Sequence, residues 1–287
     1  MVTSPLPTIT LRNGTTIPRL GMGSWLMGET TSRRTDEIRS LQVGLDNGLR
    51  LIDTAEMYGN GRSESVVGEA IRGRRDDAFV VSKVLPHHSR YDDTIEACKR
   101  SLRALNTSHL DLYLLHWRGD VPLSETVRAF KALEKEGLIL GWGVSNFDVR
   151  DMEELERCSQ NAVANQILYS LLYRGTEFDL QEHNARHHVA TMAYCPIGQG
   201  ESELLQHPTL VSIAQRHKTH LGPATPAQIA LAWTLRSPNI ISIPKASTPS
   251  HQEQNIAALE ITLTQEDLTE LDRAFPPPRS KVSLAVI

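Results

Sequence analysis

Four side chains that can hold or move protons stand at the ends of three apolar runs in this sequence. Asp53 ends the run GLRLID, Lys83 ends VVSK, and His116 follows LDLYLL. Tyr58 comes five residues after Asp53, on a loop interrupted by Gly59, Asn60 and Gly61. Short apolar runs of this kind are typical of buried parallel strands. We therefore expect these groups at, or just beyond, the ends of three neighbouring strands, where α/β barrels build their active sites.

Together these side chains could donate a proton to a developing alkoxide. A phenol is a poor acid near neutral pH, since its unperturbed pKa is about 10. An adjacent ammonium favours the phenolate, so Lys83 is expected to lower the pKa of Tyr58, while Asp53 keeps Lys83 charged. His116 could orient a carbonyl oxygen by hydrogen bonding. Each residue has an ordinary structural role when taken alone, so the hypothesis depends on their joint placement.

Length, composition and charge limit the class of protein. The 287 residues fit one large α/β domain or two small ones, with enough apolar sequence for a substantial core. The net charge of -4 comes without long runs of like charge, which argues against nucleic acid or a membrane surface as partner. No stretch approaches the ~18 apolar residues of a membrane span.

The three cysteines and the start of the chain indicate the compartment. Cys98, Cys158 and Cys195 are odd in number and widely spaced, which predicts reduced thiols and no metal-ligand set. The start, MVTSPLPT, lacks the charged and apolar regions of a signal peptide. We therefore expect a cytoplasmic protein with no bound metal.

Strand and helix patterns alternate along most of the chain. Strands are predicted at 19–23, 49–53, 78–83, 110–117, 139–146, 163–167, 189–194 and 240–245. Helices are predicted at 34–47, around 66–71 and 95–105, at 124–136, 148–160, 178–188, 207–218 and 225–236, from 249, and at 265–275. Eight such units predict parallel strands with right-handed crossovers, closed into a (β/α)8 TIM barrel that occupies 1–287 as one domain.

Two further features lie outside this alternation. The Asn13-Gly14 pair predicts an N-terminal β-hairpin over 8–18 whose two turn residues both have positive φ. The last predicted helix is an extra one, and the tail PPPRSKVSLAVI is expected to cross one face without forming a helix. An open doubly wound sheet is the alternative fold, but no GxGxxG follows a strand in the first unit, as a dinucleotide-binding sheet would usually show.

Seven motifs occur in a fixed order that resembles a known family. They are GLRLIDTAEMYG, VVSK, LLHW, GWGVSNF, NQILY, AYCPIGQG and IPKAS. In this order they strongly resemble the aldo-keto reductase superfamily, from the Asn13-Gly14 hairpin to about Asn255, and the short loops are similar to its bacterial, methylglyoxal-reducing members. The resemblance implies reduction of aldehydes and ketones by NADP(H), which binds at the C-terminal mouth of the barrel without a Rossmann fold.

The resemblance implies roles for particular residues. Tyr58 would be the general acid, with Lys83 and Asp53 behind it and His116 on the substrate carbonyl. Ser145, Asn146 and Gln166 match positions that bind the nicotinamide carboxamide, and Tyr194 matches the residue that stacks on the ring. The remaining cofactor-binding set is Gly23, Ser24, Trp25, Asp53, Pro196, Ile197, Gly198, Gln199, Lys245, Ala246, Ser247, His251, Gln254 and Asn255. The implied substrate pocket consists of Trp25, Tyr58, Leu85, His116 and Trp117.

The sequence departs from the family at the adenosine end of the site. Ala246 stands where the family usually has a Ser near the 2′-phosphate, and His251 stands where it has an Arg. A histidine is cationic only when protonated, whereas an arginine is always charged. The interpretation is therefore a weakened preference for NADP(H), with NAD(H) as the alternative cofactor.

Two other functions remain open at this point. A Schiff-base lyase would use Lys83 as a nucleophile, which requires a neutral amine that Asp53 opposes. A non-catalytic NADP(H) sensor would bind the cofactor without turnover, and the filled catalytic positions argue against it. As partner we expect a small carbonyl compound, and we expect a monomer.

Overall fold

The fold is a closed (β/α)8 barrel, seen in a computed structural model that describes residues 6–287. Eight parallel strands form one sheet. Their bounds are β3 (Met22–Gly23), β4 (Leu51–Asp53), β5 (Phe79–Val84), β6 (Leu112–Leu115), β7 (Trp142–Ser145), β8 (Ala164–Leu168), β9 (Ala190–Tyr194) and β12 (Ile240–Ser242). Parallel bridges from Leu20 to Ser242 and from Gly23 to Lys245 join the first strand to the last and close the barrel. The predicted barrel is thereby confirmed, and the open sheet is excluded.

The closing seam requires glycine in the first strand. The Gly23 amide donates to the Pro244 carbonyl at 2.9 Å. A Cβ on Gly23 would lie 2.9 Å from the carbonyl oxygen of Ile243, too close for any other residue without a shift of the backbone. The strand predicted at 19–23 is shorter in the structure, where regular pairing is confined to Met22–Gly23.

Helices cover the outside of the barrel. They are α1 (Arg34–Asp46), α2 (Arg62–Ala70), α3 (Tyr91–Leu105), α4 (Leu123–Lys135), α5 (Val149–Cys158), α6 (Leu180–Arg186), α7 (Ser202–Leu205), α8 (Pro208–Arg216), α9 (Pro226–Thr234), α10 (Pro249–Ala257) and α11 (Gln265–Ala274). A capping box begins α9, because the Thr225 hydroxyl accepts from the Gln228 amide and the Gln228 side chain accepts from the Thr225 amide. No helix between residues 6 and 287 is long and apolar enough to cross a bilayer.

Between β9 and β12 the chain adds elements that the sequence patterns did not predict. Helix α7 is a single turn, and α8 ends at Arg216, where a small antiparallel pair of β10 (Lys218–Thr219) and β11 (Gly222–Pro223) begins the turn into α9. Helix α11 packs against α8. Segments this short carry too few side chains to show a period, and so their patterns are not distinctive.

The N-terminal hairpin is confirmed, with a different turn. Strands β1 (Thr8–Thr10) and β2 (Thr16–Pro18) are antiparallel, and the Leu11 amide donates to the Thr15 carbonyl. In the loop between these two strands, at residues 11–15, Gly14 alone has positive φ. The predicted two-residue turn with positive φ at Asn13 is wrong, because the loop has three residues and ends in a glycine bulge.

Two apolar clusters make the core. The inner cluster fills the barrel and includes Leu11 and Ile17, so the hairpin plugs the end where the strands begin. The outer cluster lies between strands and helices. Asp53, Lys83 and His116 lie at the opposite end of the barrel, where the strands end.

The C-terminal tail crosses the face where the strands end. Lys281 pairs with Asp148, which precedes α5, and with Asp179, which precedes α6. Val282 lies against Gly175, where an added Cβ would be 2.5 Å from its side chain. The tail therefore borders the mouth of the barrel on the β8 side.

Candidate active site

Lys83 is at the centre of a hydrogen-bond cluster at the mouth of the barrel. Its Nζ lies 2.8 Å from Asp53 Oδ2, 2.8 Å from the Thr54 carbonyl oxygen and 3.2 Å from the Tyr58 hydroxyl. An ammonium has three protons, and each has an acceptor here. Lys83 is fully buried, so these three contacts replace the water that a free ammonium would bind.

Asp53 is held from two sides. Lys83 binds one carboxylate oxygen, and Gln166 Nε2 donates to the other at 2.7 Å. Burial raises the pKa of Asp53 and lowers that of Lys83, while their mutual attraction and hydrogen bonds oppose both shifts. The short contacts on both carboxylate oxygens make an ion pair the stable state of this buried couple.

Tyr58 reaches the cluster from the loop after β4. Its amide donates to the Ala55 carbonyl at 3.0 Å, and three residues with positive φ follow at 59–61. Burial raises the pKa of Tyr58 well above its ordinary value, and the charges of Asp53 and Cys195 add to the shift. This direction is opposite to the lowering expected from Lys83, because burial is the largest cause of the shift in the pKa of Tyr58. The phenol therefore carries its proton at neutral pH, as a proton donor must.

His116 faces Tyr58 across the site. The two ring centroids are 5.9 Å apart, and the rings meet edge to face. Burial, together with the charge of Lys83, lowers the pKa of His116 to about 2. The imidazole is therefore neutral, and its Nδ1 has no hydrogen-bond partner among residues 6–287. A neutral imidazole has one N–H, which can be donated to a carbonyl oxygen without bringing a second positive charge.

A second network joins the ends of β7, β8 and β9. Ser145 Oγ donates to the Gln166 carbonyl at 2.9 Å, and Asn146 Nδ2 donates to the His116 carbonyl at 3.1 Å. The Tyr194 hydroxyl donates to Asn146 Oδ1 at 2.9 Å. The four residues expected at the nicotinamide are thus brought together, next to the hydrogen-bond cluster around Lys83.

Backbone strain is concentrated around this mouth. Five of the seven non-glycine residues with positive φ between residues 6 and 287 lie on loops that follow barrel strands, and they are Leu26, Asn60, Asn146, Cys195 and Gln199. Such conformations cost free energy of order 1–3 kcal/mol each and cluster at functional sites. The loop with Pro196, Ile197, Gly198 and Gln199 belongs to this set, since Gly198 also has positive φ.

The expected adenosine end lies between β12 and α10. Lys245 is half-buried, and its pKa is lowered by burial, with Glu37 opposing the shift. The Ala246 side chain is buried, and its carbonyl accepts from Ser40. Helix α10 begins after Thr248, whose hydroxyl accepts from the His251 amide. The positive end of this helix and the Lys245 ammonium therefore suit a phosphate.

The other expected contacts at this end have varied surroundings. Ser247 and Asn255 are partly exposed, and His251 is exposed. Gln254 Oε1 accepts from Gln228 Nε2 at 2.8 Å, so α9 holds that side chain in place.

The expected pocket walls surround the cluster on three loops. Trp25 follows β3 and is 40% exposed, which leaves its ring free to contact a ligand. Trp117 lies beside His116, with ring centroids 4.9 Å apart. Leu85 follows β5, and its amide donates to Glu56 Oε1 at 2.8 Å.

Two residues, Ser24 and Glu56, have positioning contacts that the sequence did not predict. Ser24 is buried, and its hydroxyl donates to the Asp53 carbonyl at 2.8 Å and accepts from Ser63, so that hydroxyl is occupied within the protein. Glu56 also contacts His88 and Arg100, and it ties the loop after β4 to the loop after β5. A carboxylate two residues before Tyr58 was the signal that could have identified Glu56.

A closed barrel with a buried Asp-Lys pair, a phenol and a neutral histidine at its mouth defines a class of oxidoreductase, and comparisons with known proteins agree. The model of the aldo/keto reductase family matches residues 19–275. Methylglyoxal reductase YeaE of Escherichia coli is 42% identical over 94% of this chain and 95% of its own length. Glyoxal reductase of Bacillus subtilis is 33% identical, with 95% and 94% covered.

Solved structures give the same result. The aldo/keto reductase of Klebsiella pneumoniae, in a complex with NADP and acetate, superposes with a TM-score of 0.94 at 44% identity, covering 99% of this chain and 100% of that one. The chain belongs to the aldo/keto reductase family, and it is an oxidoreductase. The resemblance drawn from the seven motifs is confirmed.

Proposed function

We propose that this protein reduces small aldehydes and ketones to alcohols with NADPH, and that 2-oxoaldehydes such as methylglyoxal are among its substrates. The observation that carries the proposal is the chain of contacts from Asp53 through Lys83 to the Tyr58 hydroxyl. The substrate is supported by the name of one relative, a methylglyoxal reductase. The cofactor is supported by the solved structure of another, which contains NADP.

The residues of this chain position the carbonyl and supply the proton. A bound NADPH supplies the hydride to the carbonyl carbon. His116 donates its N–H to the carbonyl oxygen and fixes that oxygen near the Tyr58 hydroxyl. As negative charge develops on this oxygen, Tyr58 donates its proton, and the ammonium of Lys83 stabilises the phenolate that forms. Asp53 keeps Lys83 charged throughout the step.

The residues present fit NADP(H). Ser145, Asn146 and Gln166 offer amide and hydroxyl groups at one end of the site, and Tyr194 offers a ring beside them. At the other end, Lys245 and the start of α10 would hold the 2′-phosphate. NADPH is therefore preferred over NADH, but less strongly than in relatives that have an arginine in place of His251.

The geometry disfavours the two other functions. A Schiff-base lyase needs a neutral, accessible amine, whereas all three protons of Lys83 are bound and its side chain is fully buried. A sensor would not need the general acid and its supporting ion pair. Carbonyl reduction uses each of these groups.

The direct test is a steady-state assay of the purified chain. Methylglyoxal, a simple aliphatic aldehyde and a simple ketone are each supplied with NADPH or NADH, and cofactor oxidation is followed. The proposal predicts turnover with NADPH, with higher kcat/KM for methylglyoxal than for the ketone and lower kcat/KM with NADH. Binding of NADPH without turnover of any of the carbonyls would contradict it.

The proposal includes a single domain that works as a monomer in the cytoplasm, with no nucleic acid or membrane partner. The site draws every group named here from one chain, so no second copy is required. Light scattering at the concentration of the assay tests the monomer, and a mass twice that of the chain would contradict it.

A further inference from the structure

Three residues with metal-ligating side chains meet on the outside of the barrel. Glu156 lies in the last turn of α5, while His183 and His187 lie one turn apart on α6 and at its end. Because these helices run back from the mouth, their C-terminal ends lie at the opposite end of the barrel. The contact of Arg12, on the hairpin, with the His187 carbonyl agrees with this position.

The three side chains point toward one another. The two imidazole rings are stacked, with centroids 4.4 Å apart and planes at 10°. His187 Nδ1 lies 2.7 Å from Glu156 Oε1, and His183 Nε2 lies 3.8 Å from the same oxygen. One ligand atom from each residue falls within 4.8 Å of the other two.

An ordinary ion pair accounts poorly for this cluster. Glu156 Oε1 is buried and has no hydrogen bond of acceptable geometry within the described part of the chain, although His187 Nδ1 is close to it. Two stacked imidazoles would repel each other if both were protonated. A cation bound at the nitrogen-bearing edges of the two rings, next to the carboxylate, would give all three groups a partner.

The donor set indicates which cation fits. Two imidazole nitrogens spaced i, i+4 on a helix, with one carboxylate, are ligands that Zn²⁺ uses in proteins. Ligand atoms around a tetrahedral ion at about 2.0–2.1 Å are about 3.3 Å apart. The observed contacts of 2.7 and 3.8 Å lie on either side of that value.

We propose that Glu156, His183 and His187 bind a divalent transition-metal ion, with Zn²⁺ as the best match and water in the remaining positions. Both helices present their C-terminal ends to the site, and that end of a helix favours a cation. The positive charge of Arg12, which contacts the His187 carbonyl, is the nearby group that disfavours a cation. The ion would join α5 to the short helix α6 at the end of the barrel remote from Tyr58, so its role is structural. Nitrogen and oxygen ligands also accept Cu²⁺, Ni²⁺ and Co²⁺.

The test uses the full chain without an affinity tag, after treatment with a chelator. Zinc chloride is titrated by calorimetry, and the melting temperature is measured with and without Zn²⁺. We expect one site per chain and a rise in melting temperature, since a ligand that binds the folded state stabilises it by mass action. Cobalt substitution should give visible absorption without the thiolate charge-transfer band, because no cysteine is a ligand.

Variants locate the site. His183→Gln, His187→Gln and Glu156→Gln should each weaken Zn²⁺ binding by at least about tenfold, because each removes one of three protein ligands. The control is His188→Asn, at an exposed neighbour whose φ of 55° asparagine also tolerates. It should bind Zn²⁺ as the natural sequence does.

The outcomes separate this proposal from other histidine sites. His87 and His88 form another close pair, near Glu56, so stoichiometry alone does not identify the ligands. The double variant His183→Gln with His187→Gln is first shown by circular dichroism to be folded. If it then binds Zn²⁺ as tightly as the natural sequence, the proposal is overturned. Absence of Zn²⁺ binding by the natural sequence would also overturn it. Carbonyl reduction with NADPH should be unchanged in these variants.

Discussion

The Gln166 side chain donates to the Asp53 carboxylate oxygen that Lys83 does not bind, at 2.7 Å. This contact joins β8 to β4 across the mouth of the barrel. It gives Gln166 a task besides the expected contact with a nicotinamide carboxamide, because it fixes the orientation of Asp53. The orientation of Asp53 in turn directs Lys83 toward the Tyr58 hydroxyl.

Lys83→Met should lower both activity and stability. The substitution leaves the Asp53 carboxylate buried without its counter-ion, and breaking a buried ion pair costs about 3–5 kcal/mol in the free energy of unfolding. Urea denaturation measures this loss. The double variant with Asp53→Asn should recover part of it, since the unpaired charge is gone. An unchanged midpoint in Lys83→Met would show that the pair contributes nothing to folding.

His116 should make the protein less stable in acid. Its pKa is about 2 in the folded protein, below the ordinary value of 6.5, so the unfolded chain takes up a proton that the folded chain does not. Stability should therefore fall as the pH drops below about 6.5 toward 2, by at most about 1.4 kcal/mol per pH unit from this residue. His116→Gln should reduce that slope between pH 6 and 4. Equal slopes in the two proteins would contradict a neutral, buried His116.

Glu56→Ala should affect the position of Leu85 in the pocket wall more than it affects Tyr58. The Leu85 amide loses its charged acceptor, a loss of about 1.5–3 kcal/mol for a hydrogen bond to an ionised group. We expect KM for the carbonyl to rise more than kcat falls, because Tyr58 and Lys83 keep their contact. Arg100→Ala removes only an exposed partner of Glu56 and serves as the control. A loss confined to kcat would place Glu56 in the chemical step.

His251→Arg should tighten NADPH and leave NADH nearly unchanged. His251 is exposed near the start of α10, where an arginine would add a permanent charge and a planar fork for the 2′-phosphate. Fluorescence titration gives both dissociation constants at pH 8. Equal NADPH affinity in the two proteins at that pH would remove His251 from the phosphate site.

The sequence predicted the barrel, and the grouping of Asp53, Tyr58, Lys83 and His116 at its mouth, because both depend on strong local patterns. Each strand is a short apolar run, and Asp53, Lys83 and His116 are fixed at or next to strand ends. Parallel strands that close into a barrel bring such ends together whatever the details of the helices. Their mutual contacts followed from that topology.

Other features depend on tertiary contacts that no local pattern records. The pKa of Tyr58 is raised mainly by burial of its side chain, which depends on how the loops pack in the folded chain. The hydroxyl of Ser24 bonds to the Asp53 carbonyl and to Ser63, two partners that lie 29 and 39 residues away in the sequence. Glu156 meets His183 and His187 only because the C-terminal ends of α5 and α6 come together in the folded chain.

The central claim is that Tyr58 donates the proton to the reduced carbonyl, and Tyr58→Phe in a single-turnover assay with bound NADPH tests it most directly. The ring remains, so NADPH should bind with unchanged affinity, whereas the rate of cofactor oxidation by methylglyoxal should fall by about 10²–10⁴-fold. A variant that retains more than about a tenth of the natural rate would contradict the account, because general acid catalysis of this size could not then come from Tyr58.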